Sequence, residues 1–373
     1  MRNLIYGAAI FVAACFSCAS PIVKDYVVEG EIKGFGDGML YVMTETLDGY
    51  ANDTAFVKND RFTFRSSTEH PVELLFMVAD NKACDRCNTY SFGVFVENSS
   101  TPIVVKAEVE KRIENAVITG SIQQQQVEQI EATGMFKKLR RLQREKDSFN
   151  KVNDTIALEE KNRQFKQLVN VSLDELFAFD FARNSVAVTF VLYKYFPFLS
   201  VDELENTLRR FDQTLESSVY LEKMQERIRR SRVMAVGQKA PEFTLQDTTG
   251  HSYHLSDFKG KMVLLDFTAS WCHWCKVEIP YIEQIHQKMK GKNFEIISVY
   301  LDKNREDWVK DVKTSQHPWK CLSDVMAWKK GGMAYDYFVN GIPALVLLDQ
   351  EGRIISKGTR GEKTMQVVIE NYK

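Results

Sequence analysis

The chain has 373 residues, of which 44% are apolar and 27% are charged, which is enough to build two or three packed units. Its formal net charge is −1, so it has no overall positive field that would attract nucleic acid or acidic lipid. The basic cluster at residues 227–232 ends a predicted helix, where positive charge complements the helix dipole. The composition therefore argues against a nucleic-acid-binding protein.

The N-terminus has the pattern of a bacterial secretion signal. Arg2 supplies a positive charge, and residues 4–14 form an apolar run that is too short to span a bilayer as a helix. The run ends in Val12-Ala13-Ala14-Cys15, which resembles the lipobox at which bacterial lipoproteins are cut and lipidated. We expect a signal peptide over 1–14, lipidation of Cys15 and a tether over 15–25, with an ordinary cleavable signal as the alternative. Cys18 is a second candidate for lipidation, but the residues before it fit the pattern less well.

Residues 26–122 are predicted to form a β-rich domain. Many short strands at regular spacing favour an antiparallel sandwich or an open barrel. Apolar segments with strand character, separated by turn residues, lie at 26–32, 39–46, 61–65, 72–79, 90–97, 103–109 and 116–120.

Cys84 and Cys87 lie in a polar loop between two of these predicted strands. In an oxidising compartment the simplest interpretation is a local disulfide that closes the loop. A second redox pair that exchanges electrons with other cysteines of the chain is an alternative. A metal site lacks further ligands in the neighbouring sequence.

Residues 123–235 are predicted to be a helical linker domain, since Gln, Glu, Lys and Arg dominate and no proline within this segment precedes Pro197. Residues 184–198 are strongly apolar and aromatic, so we expect them to pack into a core. The segment from Ser200 to Glu203 resembles a capping box that opens a further helix.

Cys272-His-Trp-Cys275 is the most informative motif of the chain. It follows residues 263–268, a predicted buried strand, and precedes residues 276–290, a predicted amphipathic helix. The helix dipole and the unpaired N–H groups at a helix N-terminus favour the thiolate, which is the nucleophile in disulfide exchange. The second cysteine, one helical turn on, can close a disulfide with the first and release a bound partner.

This motif has two alternative interpretations: it is half of a zinc site, or it is a structural disulfide. Zinc would need a second ligand pair, and none follows at zinc-finger spacing. Further on, Pro343 stands at the start of a second predicted buried strand, 345–349. Proline is poorly tolerated there unless it has a special role, of which a cis Ile342–Pro343 bond would be one.

With these motifs, residues 236–373 resemble the thioredoxin-fold domain of the TlpA/ResA-type envelope thiol-disulfide oxidoreductases. The β-rich segment resembles the domain that often precedes this fold in envelope lipoproteins. The matching pieces occur in the family's order, at 236–243, 255–261, 266–272, 275–280 and 341–343.

The resemblance implies roles for individual residues. Cys272 would be the exposed attacking thiolate and Cys275 the resolving thiol. Asp266 would be a buried carboxylate with a raised pKa that exchanges a proton with Cys275; an Asp capped by backbone at a strand end is the alternative. Trp271 would shield the disulfide at the rim of the site. The loop of Ile342 and Pro343 would pair with the substrate backbone.

The residues between the cysteines, His273 and Trp274, depart from the Gly-Pro or Pro-Pro that is common in the family. A charged His273 would stabilise the Cys272 thiolate and make the couple more oxidising, whereas a solvent-exposed imidazole would have little effect. The reduction potential is therefore left open. Peroxidase chemistry is disfavoured, because Ala269 and Leu265 occupy the places where peroxiredoxins have a hydroxyl residue and a proline.

These features predict a lipid-anchored, periplasm-facing thiol-disulfide oxidoreductase without cofactor or metal. It would reduce disulfides of envelope proteins, in cytochrome c maturation or thiol homeostasis, and a membrane electron donor would regenerate it. A disulfide oxidase or isomerase is one alternative. An envelope binding or scaffold lipoprotein with an ancillary redox domain is another.

Overall fold

The structure of the chain is a computed structural model that describes residues 25–78, 91–109, 113–151, 155–195 and 199–372. The expected signal peptide, Cys15 and the Cys84–Cys87 pair lie outside the described residues. The chain divides into two compact units. The first comprises residues 1–154, 176–191 and 214–219, and the second comprises 155–175, 192–213 and 220–373.

The described N-terminal part of the first unit is built from two four-stranded sheets. Their orders are β4-β1-β7-β8 and β3-β2-β5-β6. All neighbouring strands are antiparallel except β1 and β7. In chain order the strands are β1 (Tyr26–Lys33), β2 (Gly38–Thr46), β3 (Gly49–Val57), β4 (Arg61–Ser66), β5 (Val72–Val78), β6 (Ser91–Val96), β7 (Ile103–Glu108) and β8 (Val117–Thr119).

Aromatic side chains join the two sheets. The ring centroid of Phe76 on β5 lies 5.5 Å from that of Phe62 and 5.9 Å from that of Phe64, both on β4. These residues belong to different sheets and are buried, so the sheets pack face to face around an apolar core. The strand-rich fold predicted for this region is confirmed.

The strand β3 is absent from the sequence-based prediction. It contains Asn52 and Asp53, residue types that are depleted in strands, and much of its first half is exposed. It forms because β2 pairs with it along its whole length in a hairpin, so its backbone groups find partners regardless of side-chain preference.

The middle of the chain is helical, as predicted. The capping box of Ser200 and Glu203 is present, with the Ser200 side chain accepting from the Glu203 N–H and the Glu203 side chain accepting from the Ser200 N–H. None of the described helices is long and apolar enough to cross a membrane. The helices are α1 (Ile122–Ala132), α2 (Gly134–Lys151), α3 (Thr155–Leu176), α4 (Val186–Tyr195), α5 (Val201–Leu208) and α6 (Val219–Val233).

The C-terminal part of the second unit has a small β hairpin followed by a five-stranded mixed sheet. The order of that sheet is β13-β12-β11-β14-β15, in which β11, β12 and β13 are parallel and β14 runs against β11. In chain order the elements are β9 (Thr244–Gln246), β10 (Ser252–His254), β11 (Met262–Thr268), α7 (His273–Met289), β12 (Phe294–Tyr300), α8 (Arg305–Ser315), β13 (Lys320–Leu322), α9 (Met333–Asp336), β14 (Ala344–Leu348), β15 (Ile354–Lys357) and α10 (Glu362–Asn371).

The central strand β11 is buried along its whole length. Successive side chains of a strand point to opposite faces of the sheet. Leu264 packs in the apolar cluster that contains Ile282 and Ile285 of α7, whereas Leu265 packs in the cluster on the other face. Asp266 therefore lies on the face that α7 covers.

Candidate active site

Cys272 and Cys275 form a disulfide at the N-terminus of α7, with their Cα atoms 5.3 Å apart. Cys272 is the N-cap residue of the helix, and its Sγ accepts a hydrogen bond from the Cys275 N–H at 3.1 Å. The sulfur that the sequence assigns as nucleophile thus lies where the helix dipole and free N–H groups stabilise negative charge. The pair is present in its oxidised form.

Both cysteines of the disulfide are buried. Cys272 is 5% exposed and Cys275 is 2% exposed, whereas Trp271 is 63% exposed. In the oxidised form Cys272 is therefore buried, whereas the prediction of an exposed Cys272 concerns the attacking thiolate. The shielding role of Trp271 stays a prediction. The sulfurs are covered by aliphatic groups, since Ala269 and Ile342 pack against them, while Trp271 precedes the cap and lies in solvent.

The turn between β11 and α7 is held by a buried carboxylate. Asp302 accepts hydrogen bonds from the Ser270 backbone N–H, at 3.1 Å from its Oδ2, and from the Ser270 hydroxyl, at 2.5 Å from its Oδ1. Asp302 follows the parallel neighbour β12, so this contact fixes the turn against the edge of the sheet from which Cys272 starts.

The side chains between the two cysteines face solvent. His273 is exposed and Trp274 is 65% exposed. Their rings meet edge to face with centroids 5.6 Å apart. Together with Trp271 they form a group of exposed aromatic side chains next to the cysteines in the sequence.

The loop before β14 lies against the disulfide. The Ile342–Pro343 peptide bond is cis, as the position of the proline suggests. Ile342 packs against the disulfide cluster, and the carbonyl oxygen of Pro343 accepts a hydrogen bond from Arg360 at 2.9 Å. The structure thus brings the two sequence-distant motifs, the Cys-x-x-Cys and the proline loop, to one place.

Asp266 is 1% exposed and lies inside β11 rather than at a strand end. Burial raises the pKa of its carboxyl from 3.8 to about 7, a hydrogen bond from Ser298 acts in the opposite direction, and the charge of Glu278 adds to the rise. The Ser298 hydroxyl donates to Asp266 Oδ2 at 2.8 Å. A carboxyl with a pKa near neutral exchanges protons readily at ordinary pH.

Glu278 is a site residue that the sequence analysis misses. It lies on α7 one turn after Cys275, it is buried, and its Oε2 accepts from the Gly361 N–H at 2.8 Å. Its spacing of three residues from Cys275 is a signal that could have found it, because residues three apart share a helix face. The sequence carries no such signal for Ser298, which donates a hydrogen bond to Asp266, because only the pairing of β11 with β12 brings the two residues together.

Cys321 is a free cysteine on β13 and is buried. Burial raises the pKa of its thiol to about 12, and the charges of Asp266 and Asp311 add to the rise. A thiol in this state carries little thiolate and is a poor nucleophile. Among the described residues, His, Cys, Asp and Glu side chains form no group of three or more that could hold a metal ion.

A disulfide at a helix N-terminus, a cis-proline loop against it and a buried acid beneath it, on a mixed sheet of this order, define a thioredoxin-like oxidoreductase. Comparison with known proteins agrees. Residues 235–372 match the Redoxin family model, and residues 26–127 match a domain of unknown function, DUF4369.

Thiol-disulfide oxidoreductase ResA of Bacillus thuringiensis subsp. konkukian is 34% identical over 140 residues, which are 38% of this chain and 78% of the relative. The thioredoxin-like protein YneN of Bacillus subtilis is 35% identical over 136 residues, which are 36% of this chain and 78% of the relative. The solved thioredoxin domain of a Bacteroides vulgatus thiol-disulfide oxidoreductase is 34% identical, covering 36% of this chain and 96% of that one, with a TM-score of 0.33.

The chain belongs to the ResA-like thiol-disulfide oxidoreductases. The family resemblance and the thioredoxin fold predicted from the sequence are confirmed, and the chain is an enzyme of thiol-disulfide exchange.

We expect Asp266→Asn to stabilise the oxidised protein more at about pH 8 than at about pH 4. Because the folded-state pKa is raised from 3.8 to about 7, the folded protein binds more protons than the unfolded chain in this window, and stability falls as the pH rises through it. At about 1.4 kcal/mol per pKa unit, the ionised Asp266 costs roughly 4 kcal/mol above the window.

Chemical denaturation with the disulfide intact, at both pH values, measures this difference. Asp307→Asn is the control, because Asp307 is exposed on α8 and its ionisation buries no charge. Equal stabilisation by Asp266→Asn at the two pH values would contradict the expectation.

Proposed function

We propose that this enzyme is a membrane-tethered, periplasm-facing reductase of disulfides in cell-envelope proteins. The observation that carries the proposal is the Cys272–Cys275 disulfide at the N-terminus of α7, with Asp266 buried on the strand face beneath that helix. In its reduced form this arrangement supplies a nucleophile, a resolving thiol and a proton acceptor.

In the proposed reaction the Cys272 thiolate attacks one sulfur of a partner disulfide. A bond forms between Cys272 and the partner, and the partner's other sulfur leaves as a thiolate. Cys275 then attacks the sulfur of Cys272, which gives the Cys272–Cys275 disulfide and releases the partner's second thiolate. Two electrons pass from the enzyme dithiol to the partner, so a reductant must restore the dithiol.

Asp266 is proposed to accept the proton of Cys275 before the second attack. It lies on the sheet face that packs against α7, and its carboxyl has a pKa of about 7 because burial disfavours the ionised form. Such a group is partly ionised at neutral pH and can both take and return a proton. The charge of Glu278, which lies on the same helix as Cys275, also raises the pKa of Asp266.

The surface around the disulfide is proposed to bind the partner chain. Trp271 and Trp274 offer exposed aromatic area, which is a common anchor in protein interfaces, and the exposed His273 lies between them in the sequence. Ile342 packs on the disulfide and Pro343 follows it, so a partner segment that approaches Cys272 must pass this loop.

The direction of electron flow and the place of action are part of the proposal. Both the family and the N-terminal signal suggest an extracytoplasmic compartment, where disulfides form and persist. A membrane electron donor would regenerate the dithiol, and the partners would be proteins of cytochrome c maturation or of general envelope thiol repair. The proposed reaction uses no cofactor or metal.

We also propose the following organisation for the chain. The Cys84–Cys87 pair would be a local disulfide of the β-rich domain. The segments are a signal peptide at 1–14, a tether at 15–25 that begins with lipidated Cys15, a β-rich domain at 26–122, a helical linker at 123–235 and a thioredoxin-like domain at 236–373.

A Cys275→Ser variant should trap the partner. It keeps the attacking Cys272 but lacks the resolving thiol, so mixed disulfides should accumulate and be visible by non-reducing electrophoresis and mass spectrometry. Dithiol-dependent reductase activity should fall at least about 100-fold. Cys321→Ala is the matched control and should keep full activity, because Cys321 is a buried free thiol on another strand. Full activity in Cys272→Ser would rule out the mechanism.

The reduction potential of the Cys272–Cys275 couple should lie near that of thioredoxin, at about −270 mV. It is measured by equilibration with a dithiol buffer in a chain carrying Cys84→Ser and Cys87→Ser, so that only one couple titrates. His273→Gln shows whether the imidazole beside Cys272 contributes. A value near −120 mV would contradict a reductase and identify an oxidant.

Replacement of Cys15 should release the protein from the membrane. In the proposal the lipidated Cys15 is the only membrane anchor, so its replacement removes the attachment. Cell fractionation of Cys15→Ser should therefore move the protein to the soluble fraction, while Cys18→Ser should stay with the membrane. Membrane association of Cys15→Ser would exclude Cys15 as the anchor.

A further inference from the structure

Three buried polar side chains form a line beneath α7. The Trp319 Nε1–H donates to Ser298 Oγ at 2.9 Å, and the Ser298 hydroxyl donates to Asp266 Oδ2 at 2.8 Å. All three residues are less than a tenth exposed. Ser298 stands directly opposite Asp266 in the parallel pairing of β11 and β12, and Trp319 immediately precedes β13.

The chemistry of these groups sets the direction of the line. An indole N–H can only donate, and a serine hydroxyl has one proton and two acceptor lone pairs. Because Trp319 fills an acceptor position of Ser298, the single hydroxyl proton is left for the carboxylate of Asp266. Ser298 is thereby held as a donor to the Asp266 carboxylate.

We propose that Ser298 and Trp319 are positioning residues for proton transfer, which hold the Asp266 carboxylate through the hydrogen-bonded line so that it can take the proton of Cys275. This inference rests on the proposed function, in which Asp266 is that acceptor. The balanced step transfers one proton from the Cys275 thiol to the Asp266 carboxylate and leaves the Cys275 thiolate free to attack Cys272.

A hydrogen bond donated to a carboxylate favours its ionised form, and burial opposes it. For Asp266 the contribution of Ser298 lowers the pKa while burial raises it. Without the donor, Asp266 would therefore stay protonated up to a higher pH. The reaction would then lose its base in the mildly acidic range.

The other groups around Asp266 do not favour its ionised form. From α7 the charge of Glu278 raises the pKa of Asp266. From β13 the Cys321 thiol brings no charge near Asp266, because burial, together with the charges of Asp266 and of Asp311 on α8, raises the pKa of that thiol to about 12 and keeps it neutral. The residue opposite Asp266 on β14 is the apolar Leu345. Among these described neighbours, Ser298 supplies the contribution that favours the carboxylate.

The test compares Ser298→Ala with the unmodified protein by two readouts. The first is a carbon-13 NMR titration of the Asp266 carboxyl in the oxidised protein, where Cys272 and Cys275 do not titrate. The second is the pH profile of kcat/KM for dithiothreitol-driven reduction of insulin. Both the Asp266 titration and the acidic limb of the profile should move up by about one pH unit, roughly a tenfold loss of base well below the pKa.

Two further variants separate this role from a merely structural one. Trp319→Phe keeps an aromatic ring but removes the N–H, so it should move the titration of Asp266 in the same direction by a smaller amount. Ser323→Ala is the matched control. Ser323 is an equally buried hydroxyl in the same domain that donates to the Tyr300 carbonyl, so its loss should lower stability without moving the pH profile.

The inference is overturned if the titration of Asp266 in Ser298→Ala overlays that of the unmodified protein, or if Ser323→Ala shifts it equally. Asp266→Asn tells this failure from failure of the proposed function. If Asp266→Asn keeps the acidic limb, Asp266 is not the base. If Asp266→Asn loses the limb and Ser298→Ala leaves it in place, only the role of Ser298 and Trp319 fails.

Discussion

Complete burial of the central strand β11 is the constraint on which the rest of the redox domain depends. Both faces of the strand are covered, so the chain leaves the sheet only at its end and turns directly into α7. That turn places Cys272 at the helix N-cap, where its sulfur accepts from the Cys275 N–H. The cysteines lie at the positive end of the helix because the strand and the helix share one turn, which Asp302 holds through Ser270.

The same burial raises the free-energy cost of ionising Asp266, and the proposed function depends on the pKa that results. A carboxylate in the core is disfavoured in its charged form, which is why its pKa rises to about 7. The surrounding sheet offsets part of this cost with one hydroxyl donor from the neighbouring strand. A change that eases ionisation of Asp266 therefore also lowers the free-energy cost of its charged form at neutral pH. In the proposed function the same group accepts the proton of Cys275.

The disulfide packs against aliphatic side chains, while the aromatic side chains next to it in the sequence are exposed. Ala269 and Ile342 pack with Cys272 and Cys275 in one buried cluster, whereas Trp271 and Trp274 remain in solvent. Large exposed aromatic side chains are costly for an isolated protein and suit a surface that another chain covers for part of the cycle. The buried thiol of Cys321 shows the opposite case, a cysteine that the fold keeps unreactive.

The sequence by itself determined the redox pair, the strand that leads into it, the helix that follows and the proline loop, because each is a local pattern of a few residues. It also determined the family, since several such patterns occur in order. It did not reveal β3, which depends on its hairpin partner, or the true cover of the disulfide. The groups around Asp266 were also missed: Ser298 comes from strand register, Trp319 from the segment just before β13, and Glu278 from helix packing, although its spacing from Cys275 could have indicated it. Only the tertiary structure decided these contacts, because they join residues far apart in the chain whose types are ordinary until packing brings them to a buried charge.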